Sequence, residues 1–165
     1  MSILFLDIDG VLNNHQPYSN GYCGIDRHCM TNLNYVIDET DCFIVVSSAW
    51  RYMVPKAMTI QGFEYMLMTH GFRGNVIGIT ERDESVYKTR ERQIEAYPKD
   101  GRWAVVDDLP LQIDNFVRTN GSLGLQHHDA IKLIQILTGK DMTRELLRED
   151  VYRKILSRSD AIKAH

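Results

Sequence analysis

The chain has 165 residues, of which 44% are hydrophobic and 25% are charged, and its formal net charge is −3. This composition is that of an ordinary soluble globular protein, and the length suits one domain over residues 1–165. The charge excludes an overall basic surface for nucleic acid, although a local basic rim stays compatible with it. The apolar runs are too short for a membrane span, and the N-terminus lacks a signal peptide's basic region, so we expect a cytoplasmic protein.

The opening stretch carries the first candidate site. Four apolar residues, Ile3–Leu6, precede Asp7 and Asp9. An unbroken apolar run is typical of a strand buried on both faces of a parallel sheet. Residues i and i+2 of a strand point the same way, so both carboxylates face one pocket. Two such charges need compensation, and Mg²⁺ prefers oxygen ligands of this kind. Gly10 then allows a sharp turn or the close approach of a ligand.

The next elements alternate between helical and strand patterns. Residues 13–24 are polar and rich in turn formers, which predicts a flap loop above the end of the first strand. Apolar residues then recur at helical spacing from about Asp26 to Glu39, with Asp26 as the N-cap. Cys42–Val46 is the second buried strand and ends at Ser47. Pro55 suits the first turn of the following helix, which runs to about His70 and stops at Gly71.

The second half continues the alternation. We predict, in chain order, a strand over Val76–Ile79, a polar loop over 81–87, a helix over Thr89–Tyr97, a strand over Trp103–Val106, a weaker strand over Phe116–Thr119, a helix capped by Asp129 and closed by Gly139, and a C-terminal segment, 143–165, that is helical to about 158. Strands separated by helices favour a mostly parallel sheet with right-handed crossovers.

Three cysteines occur, Cys23, Cys29 and Cys42. An odd number without framework spacing indicates reduced thiols in a cytosol-like compartment. Cys42 begins an apolar strand and is expected to pack in the core. A zinc site built from Cys23, His28 and Cys29 is the alternative, although no Cys-x-x-Cys pair supports it.

Polar residues follow three of the predicted strands at their carboxyl ends, where parallel sheets bind ligands. The residues are Asp7 and Asp9 after strand 1, Ser47 after strand 2, and Asp107 and Asp108 after strand 4. Such a set can hydrolyse a phosphomonoester by covalent catalysis. Asp7 would be the nucleophile and Asp9 the general acid and base, while Asp107 and Asp108 would complete a metal site. Ser47 would supply a hydroxyl donor and Arg90 a fixed positive charge.

These residues resemble the four motifs of the haloacid dehalogenase (HAD) superfamily of phosphatases. The matches are Asp7-Ile8-Asp9-Gly10-Val11, Val45-Val46-Ser47, Arg90 at a helix start, and Val105-Val106-Asp107-Asp108. The resemblance implies a Rossmann-like α/β three-layer sandwich with strand order 5-4-1-2-3. It also implies Mg²⁺ held by the Asp7 carboxylate, the Asp9 main-chain carbonyl and Asp108, with Asp107 in support. The sequence is especially similar to small HAD domains of nucleic-acid repair and phage-type proteins.

Several assignments stay open between neighbours. Ser48 can take the place of Ser47, and Lys88 or Arg92 can take the place of Arg90. Substrate contacts are assigned to Gly10, Ser48, Arg51 and His15, of which His15 is either a substrate contact or loop surface. Arg90 and Arg92 can also be solvated helix charges.

No insertion long enough for a cap domain follows strand 1 or strand 3, so we expect a minimal cap and an open site. An open site favours a bulky substrate, such as a nucleotide or a phosphorylated nucleic-acid end. A basic rim from Arg51, Arg73, Arg82 and Arg102 would contact its phosphates, or these arginines are scattered solvated charges. Two other functions are compatible with such a chain. One is a receiver-like phosphoacceptor and the other is a non-catalytic nucleotide-binding or interaction module.

Overall fold

The computed structural model describes residues 1–14, 24–50, 59–81 and 89–164. Within these ranges the helices and strands alternate along most of the chain. They are, in order, β1 (Ile3–Leu6), α1 (Arg27–Thr40), β2 (Phe43–Val46), α2 (Ile60–Met68), β3 (Val76–Ile79), α3 (Arg90–Ala96), β4 (Trp103–Asp107), β5 (Phe116–Arg118), α4 (His127–Thr138) and α5 (Thr143–Lys163).

The five strands form one parallel sheet in the order β3-β2-β1-β4-β5. This is the predicted order 5-4-1-2-3 read from the opposite edge, so the prediction of an α/β fold with that topology is confirmed. Leu6 pairs with Val46 on one side and with Val106 on the other. Because the strands are parallel and in this register, β1, β2 and β4 end level with one another, and the residues that follow them share one edge.

Helices cover both faces of the sheet, which explains why the strand sequences are apolar without alternation. Leu4 and Leu6 face the larger cluster, into which α1, α2 and α4 pack. Ile3 and Phe5 face the other side, where Ile94 of α3 joins the core. Successive side chains of β1 therefore enter opposite cores, and a polar residue at any of these positions would lie in an apolar interior.

Local capping explains where the helices begin. The Asp26 side chain accepts a hydrogen bond from the Cys29 amide at 2.9 Å, which makes Asp26 the N-cap of α1 as predicted. Gly139 ends α4 in a left-handed conformation at φ 71°, again as predicted. Asp129, however, is not the N-cap of α4. Gln126 is the N-cap, and Asp129 lies three residues later, where its carboxylate accepts a hydrogen bond from the Gln126 amide at 2.9 Å. This capping-box geometry uses an acidic residue inside the first turn, so the prediction was three residues late.

Other boundaries moved slightly. The helix predicted from Pro55 is described from Ile60, with Thr59 as its N-cap, and Pro55 lies outside the described residues. Strand β2 begins at Phe43 rather than Cys42, which is nevertheless buried in the core, and β4 extends by one residue to Asp107. The last helix reaches Lys163 rather than 158.

Helix α5 has no buried residue along its length, and it exposes several large apolar side chains. Its main contact with the rest of the described fold is with α4. Apolar and basic residues are mixed around the helix, so it has no separate apolar face. Its bounds therefore cannot be read from where such a face begins and ends in the sequence. None of the helices in the described ranges is both long and apolar enough to cross a membrane.

Candidate active site

The carboxyl edge of the sheet brings together residues that lie a hundred positions apart in sequence. Asp7 directly follows β1, and its amide donates to the Val106 carbonyl at 3.1 Å. Asp107 is the last residue of β4, beside Asp7. Both carboxylates are buried, with exposures of 4% for Asp7 and 1% for Asp107. The register of β1 and β4 therefore determines that these two acidic side chains meet.

Asp108 completes an acidic cluster with them. One carboxylate oxygen from each of Asp7, Asp107 and Asp108 can be chosen so that all three lie within 4.8 Å of one another. The Asp107 carboxylate also bonds the backbone that follows β4, because its Oδ1 accepts a hydrogen bond from the Leu109 amide at 2.9 Å. Carboxylate oxygens at this spacing, from two buried residues and the half-buried Asp108, fit a hard divalent cation that takes oxygen ligands.

Arg90 supplies positive charge at the same edge. Its Nη1 lies 2.6 Å from Asp107 Oδ2 and 3.2 Å from Asp7 Oδ2. Thr89 caps α3, so Arg90 is the first residue of that helix and projects from the helix start toward the strand ends. Burial alone would lower the pKa of Arg90, but the charges of Asp7 and Asp107 outweigh it and raise that pKa. Arg90 is thus a permanent cation between two carboxylates. Arg92 is exposed, and Lys88 lies outside the described residues.

The acidic cluster is short of positive charge despite Arg90. Burial, together with the charge of Asp107, raises the pKa of Asp7 to about 7, while Arg90 and a hydrogen bond from Ser48 oppose the shift. Burial also raises the pKa of Asp107, again against the influence of Arg90. Two carboxyl groups with raised pKa values beside one guanidinium indicate that further positive charge would stabilise the site. A bound divalent cation provides such charge.

The two serines after β2 point to different neighbours. The Ser48 side chain forms a hydrogen bond with Asp7, and its Oγ also accepts the Trp50 amide at 3.3 Å. The Ser47 amide continues the ladder to the Leu6 carbonyl, whereas its Oγ lies 3.5 Å from Thr80 Oγ1. The sequence left open whether Ser47 or Ser48 supplies the hydroxyl donor. The structure describes a contact with the Asp7 carboxylate for Ser48.

A tight turn after β1 holds Asp9. Asn13 Nδ2 donates to Asp9 Oδ1 at 2.9 Å, and Asn13 Oδ1 accepts the Gly10 amide at 2.9 Å. The Asp9 carboxylate is not one of the three whose oxygens have this spacing, so the cluster of the described residues consists of Asp7, Asp107 and Asp108. Sequence reasoning did not single out Asn13. Its spacing of four from Asp9 within one turn is the signal that could have indicated it.

Gly10 is required by close packing as well as by conformation. Its φ is +75°, a region that favours glycine, and a Cβ built on it would lie 2.5 Å from Asp108 Oδ2. Its carbonyl accepts a hydrogen bond from the buried Thr119 hydroxyl at 2.7 Å. The turn after β1 is therefore tied to the segment after β5, and Thr119 is a second residue that the sequence did not indicate.

Other predicted residues fall elsewhere. His15 and Arg51 lie outside the described residues, as do Arg82 and Cys23. Arg73 and Arg102 precede β3 and β4, so they lie at the amino ends of the strands, away from the acidic cluster. Their expected place in a basic rim around the site is therefore wrong, because position within a strand decides which edge a residue joins.

The zinc alternative draws no support from its described members. Cys29 is buried in the core, and burial raises the pKa of its thiol to about 12, which disfavours the thiolate that zinc needs. Among the described residues the acidic cluster is the group of side chains with metal-ligand spacing.

Comparison with known protein families agrees with this arrangement. A family model described as the HAD domain in Swiss Army Knife RNA repair proteins matches residues 3–130. The chain belongs to this HAD family. No curated protein matches the chain, and no solved structure does. The match covers the whole sheet and the start of α4, so the HAD domain includes every strand that contributes to the cluster and ends before α5. Membership supports a phosphatase-type hydrolase, a family that typically uses a divalent metal.

Proposed function

We propose that this HAD domain is a Mg²⁺-dependent phosphomonoester hydrolase that works through an aspartyl-phosphate on Asp7. The observation that carries the proposal is the convergence of Asp7, Asp107 and Asp108 with Arg90 at the carboxyl edge of the sheet. Phosphoryl transfer needs a nucleophile and concentrated positive charge on the phosphoryl oxygens, and both are available at this edge.

In the first step an Asp7 carboxylate oxygen attacks phosphorus and forms an acyl-phosphate bond. The bond between phosphorus and the leaving oxygen breaks, and Asp9 donates a proton to that oxygen as the alcohol leaves. Arg90 stabilises the charge on the phosphoryl oxygens and on Asp7, and the Ser48 hydroxyl orients the carboxylate. Asp9 is suited to proton transfer because Asn13 holds one of its oxygens in place.

In the second step the Asp9 carboxylate accepts a proton from a water molecule. The water oxygen attacks phosphorus, the acyl-phosphate bond breaks, and inorganic phosphate leaves with the Asp7 carboxylate restored. The same residue thus acts first as acid and then as base, so the proton balance closes over one turnover.

Asp7, Asp107 and Asp108 would hold the ion, with the Asp9 main-chain carbonyl as the further ligand that the family implies. When bound, Mg²⁺ would supply positive charge that favours ionised Asp7 and neutralises a phosphoryl oxygen. Arg90, which contacts both Asp7 and Asp107, keeps two of these carboxylates together before any ion arrives.

We infer that the substrate is a terminal phosphate on a nucleotide or a nucleic acid. The chain between β1 and α1 and between β3 and α3 is too short to fold as a cap domain, so a bulky substrate can reach the strand ends. The description of the matching family, which refers to RNA repair proteins, supports the same class of substrate.

The test is a screen of phosphorylated compounds with and without Mg²⁺. It would include an aryl phosphate, mononucleotides, and oligonucleotides phosphorylated at the 3′ or the 5′ end. Asp7→Asn should abolish hydrolysis of all of them, and Asp114→Asn, at an exposed position after β4, should retain it. Full activity in Asp7→Asn would refute the nucleophile assignment.

The same experiment separates the two alternatives. A long-lived phosphoenzyme without turnover would indicate a receiver-like phosphoacceptor. Binding of nucleotide that needs no metal, without hydrolysis, would indicate a non-catalytic module. Release of inorganic phosphate that requires Mg²⁺ supports the hydrolase.

A further inference from the structure

A groove of about 540 Å³ opens from the candidate active site toward the start of α4. We call it the β5–α4 groove. Six of the side chains that line it are Asp108, Arg118, Asn120, Ser122, Gln126 and His128. Because Asp108 belongs to both the groove and the acidic cluster, a molecule whose terminal phosphate reached the cluster could continue directly into the groove.

Arg118 brings a guanidinium into the groove. It is paired with Asp107 across β4 and β5, and its Nε donates to the Asp108 carbonyl at 2.9 Å. That bond orients the side chain while leaving the terminal nitrogens available. In the parts of the chain that the structure describes, these nitrogens form no ion pair. Among the described residues, Arg118 is therefore a positive charge adjacent to the cluster that no ion pair engages.

Besides Arg118 and Asp108, neutral hydrogen-bonding groups line most of the groove, together with the Asp129 carboxylate and the exposed side chain of Leu123. The side-chain oxygen of Asn120, an exposed residue, accepts the Ser122 amide at 3.0 Å, and that bond does not use the donors of the Asn120 side-chain amide. Gln126 is the N-cap of α4, and His128 bonds the Asp129 carboxylate at 3.0 Å. The Asp129 charge is thereby engaged by the helix cap and by His128, so it repels an anion in the groove less than an isolated carboxylate would.

This set of groups matches the chemistry of a nucleic-acid backbone. Most protein contacts to phosphates and sugars come from Arg or Lys, from Ser, Asn and Gln side chains, and from helix N-termini. A groove for an apolar peptide or a lipid would instead be lined by hydrophobic side chains. The Arg118 guanidinium, beside neutral donors and the Asp108 and Asp129 carboxylates, suits a singly charged phosphodiester with its sugar rather than a more highly charged group.

We propose that the β5–α4 groove binds the phosphodiester next to the reacting terminal phosphate, and so selects oligonucleotides over mononucleotides and small phosphate esters. The inference rests on the proposed phosphatase function and assigns Arg118 and Asn120 as specificity residues. They act on the part of the substrate that does not react, so they should affect oligonucleotides and not the chemistry at phosphorus.

The test compares kcat/KM for a terminally phosphorylated oligonucleotide with kcat/KM for an aryl phosphate, in wild type, Arg118→Ala, Asn120→Ala and a distant exposed control, Arg153→Ala. The ratio should fall about tenfold or more in Arg118→Ala, and severalfold in Asn120→Ala, in line with the loss of a charged or a neutral hydrogen bond. It should stay at the wild-type value in Arg153→Ala. A ratio unchanged in Arg118→Ala overturns the proposal.

Salt dependence separates substrate binding from damage to Asp108. Loss of one phosphate contact should make the log–log salt dependence of oligonucleotide kcat/KM shallower by about one. Arg118→Lys should restore that slope because it keeps the charge, although it loses the bond to the Asp108 carbonyl. If Arg118→Ala lowers activity on both substrates equally and leaves the slope unchanged, Arg118 only supports Asp108 and the proposal fails.

Direct binding keeps this inference distinct from the proposed function. A fluorescent, terminally phosphorylated oligonucleotide would be titrated into Asp7→Asn protein with and without Arg118→Ala. Binding weakened about tenfold by the second change supports the groove even if the wild type hydrolyses no phosphate, which would refute the phosphatase proposal alone. Equal binding refutes the groove even if aryl phosphate is hydrolysed. Preference for a phosphopeptide of matched length, lost in Arg118→Ala, would overturn the nucleic-acid assignment.

Discussion

The Arg90 guanidinium lies 2.6 Å from the Asp107 carboxylate and joins the first turn of α3 to the last residue of β4. The same nitrogen lies 3.2 Å from Asp7, so one cation serves two buried carboxylates that belong to different strands. With or without a bound divalent cation, Arg90 therefore compensates part of the negative charge of Asp7 and Asp107 at the carboxyl edge of the sheet.

Replacing Arg90 by methionine should destabilise the protein and nearly abolish activity. The change leaves Asp7 and Asp107 buried without their cation, and loss of one partner of a buried ion pair costs about 3–5 kcal/mol. Loss of charge on the phosphoryl oxygens should lower kcat about a hundredfold or more. Thermal unfolding and steady-state kinetics would measure both effects.

Arg92→Met is the matched control, because Arg92 lies on the same helix but is exposed. Its stability should stay within about 0.5 kcal/mol of wild type, as for most surface substitutions. Added Mg²⁺ should recover part of the stability lost in Arg90→Met. Equal behaviour of the two variants would show that Arg90 is only a solvated helix charge.

The raised pKa of Asp7 makes the metal-free protein sensitive to pH. Its pKa is about 7 in the folded chain against an ordinary value of 3.8, so the folded state binds more protons than the unfolded state between these values. The stability that this difference contributes is complete at acidic pH, and it is lost as pH rises from about 4 through 7. The melting temperature of the metal-free protein should therefore fall as pH rises through this range, by several degrees for a chain of this size.

Melting temperatures measured in a chelator from pH 4.5 to 8 would check this dependence. Asp7→Asn should flatten the profile and stabilise the metal-free protein at pH 8, whereas Asp114→Asn should keep the wild-type profile. Mg²⁺ should stabilise the wild type most at high pH, where Asp7 is ionised. A profile that is as steep in Asp7→Asn as in wild type would contradict the assignment of the slope to Asp7.

Gly10→Ala should weaken metal binding. The new methyl group would lie 2.5 Å from Asp108 Oδ2, and the residue would have to keep a φ of +75°. The clash moves the Asp108 carboxylate away from Asp7 and Asp107. The Mg²⁺ concentration that gives half-maximal activity should therefore rise about tenfold or more, which corresponds to about 1.4 kcal/mol of binding free energy.

Gly71→Ala isolates the backbone contribution. Gly71 has a φ of +91°, but no atom lies within 4 Å of the position that a Cβ would take, so alanine there meets only the cost of the left-handed conformation. Both variants should lose about 1 kcal/mol of stability for that reason. Only Gly10→Ala should change the response to Mg²⁺, and the same change in Gly71→Ala would rule out a local clash as the cause.

Thr119→Val should loosen the turn after β1. The valine keeps the shape of threonine but removes the hydroxyl that donates to the Gly10 carbonyl at 2.7 Å. A buried carbonyl without this donor costs about 1–3 kcal/mol. Because the same turn carries Asp9, kcat should fall together with stability.

Thr69→Val provides the comparison, since the Thr69 hydroxyl donates to the Met66 carbonyl at an exposed position where water can replace it. This substitution should change the unfolding free energy by no more than about 0.5 kcal/mol, and it should leave kcat unchanged. If Thr119→Val is as stable and active as Thr69→Val, the bond between the two loops does not hold the site.

The strands and most of the helices could be predicted from the sequence because their signals are local. The apolar runs ending at Leu6, Val46 and Val106 are buried on both faces, and a parallel sheet shows this as unbroken hydrophobicity. The start of α1 could be predicted from Asp26, whose side chain caps the helix, and the end of α4 from Gly139, which adopts a left-handed conformation. Both effects act within a few residues.

The boundaries that were wrong depend on contacts beyond that range. Helix α4 begins at Gln126 because Asp129 acts from inside the first turn, and periodicity alone does not distinguish the two positions. Helix α5 extends to Lys163 although its apolar and basic residues are not segregated, so no sequence pattern marks its end.

The sequence by itself determined the types of residue at the candidate site and the strand ends that carry them, since Asp7 and Asp107 each follow an apolar run. Only the tertiary structure decided which neighbours they meet. The structure brings Ser48 to Asp7, Arg90 to both carboxylates, Thr119 to Gly10, and Arg118 to the edge of the cluster. The physical reason is that strand order, register and side-chain direction bring distant segments together, and none of these is encoded within the few residues of a motif.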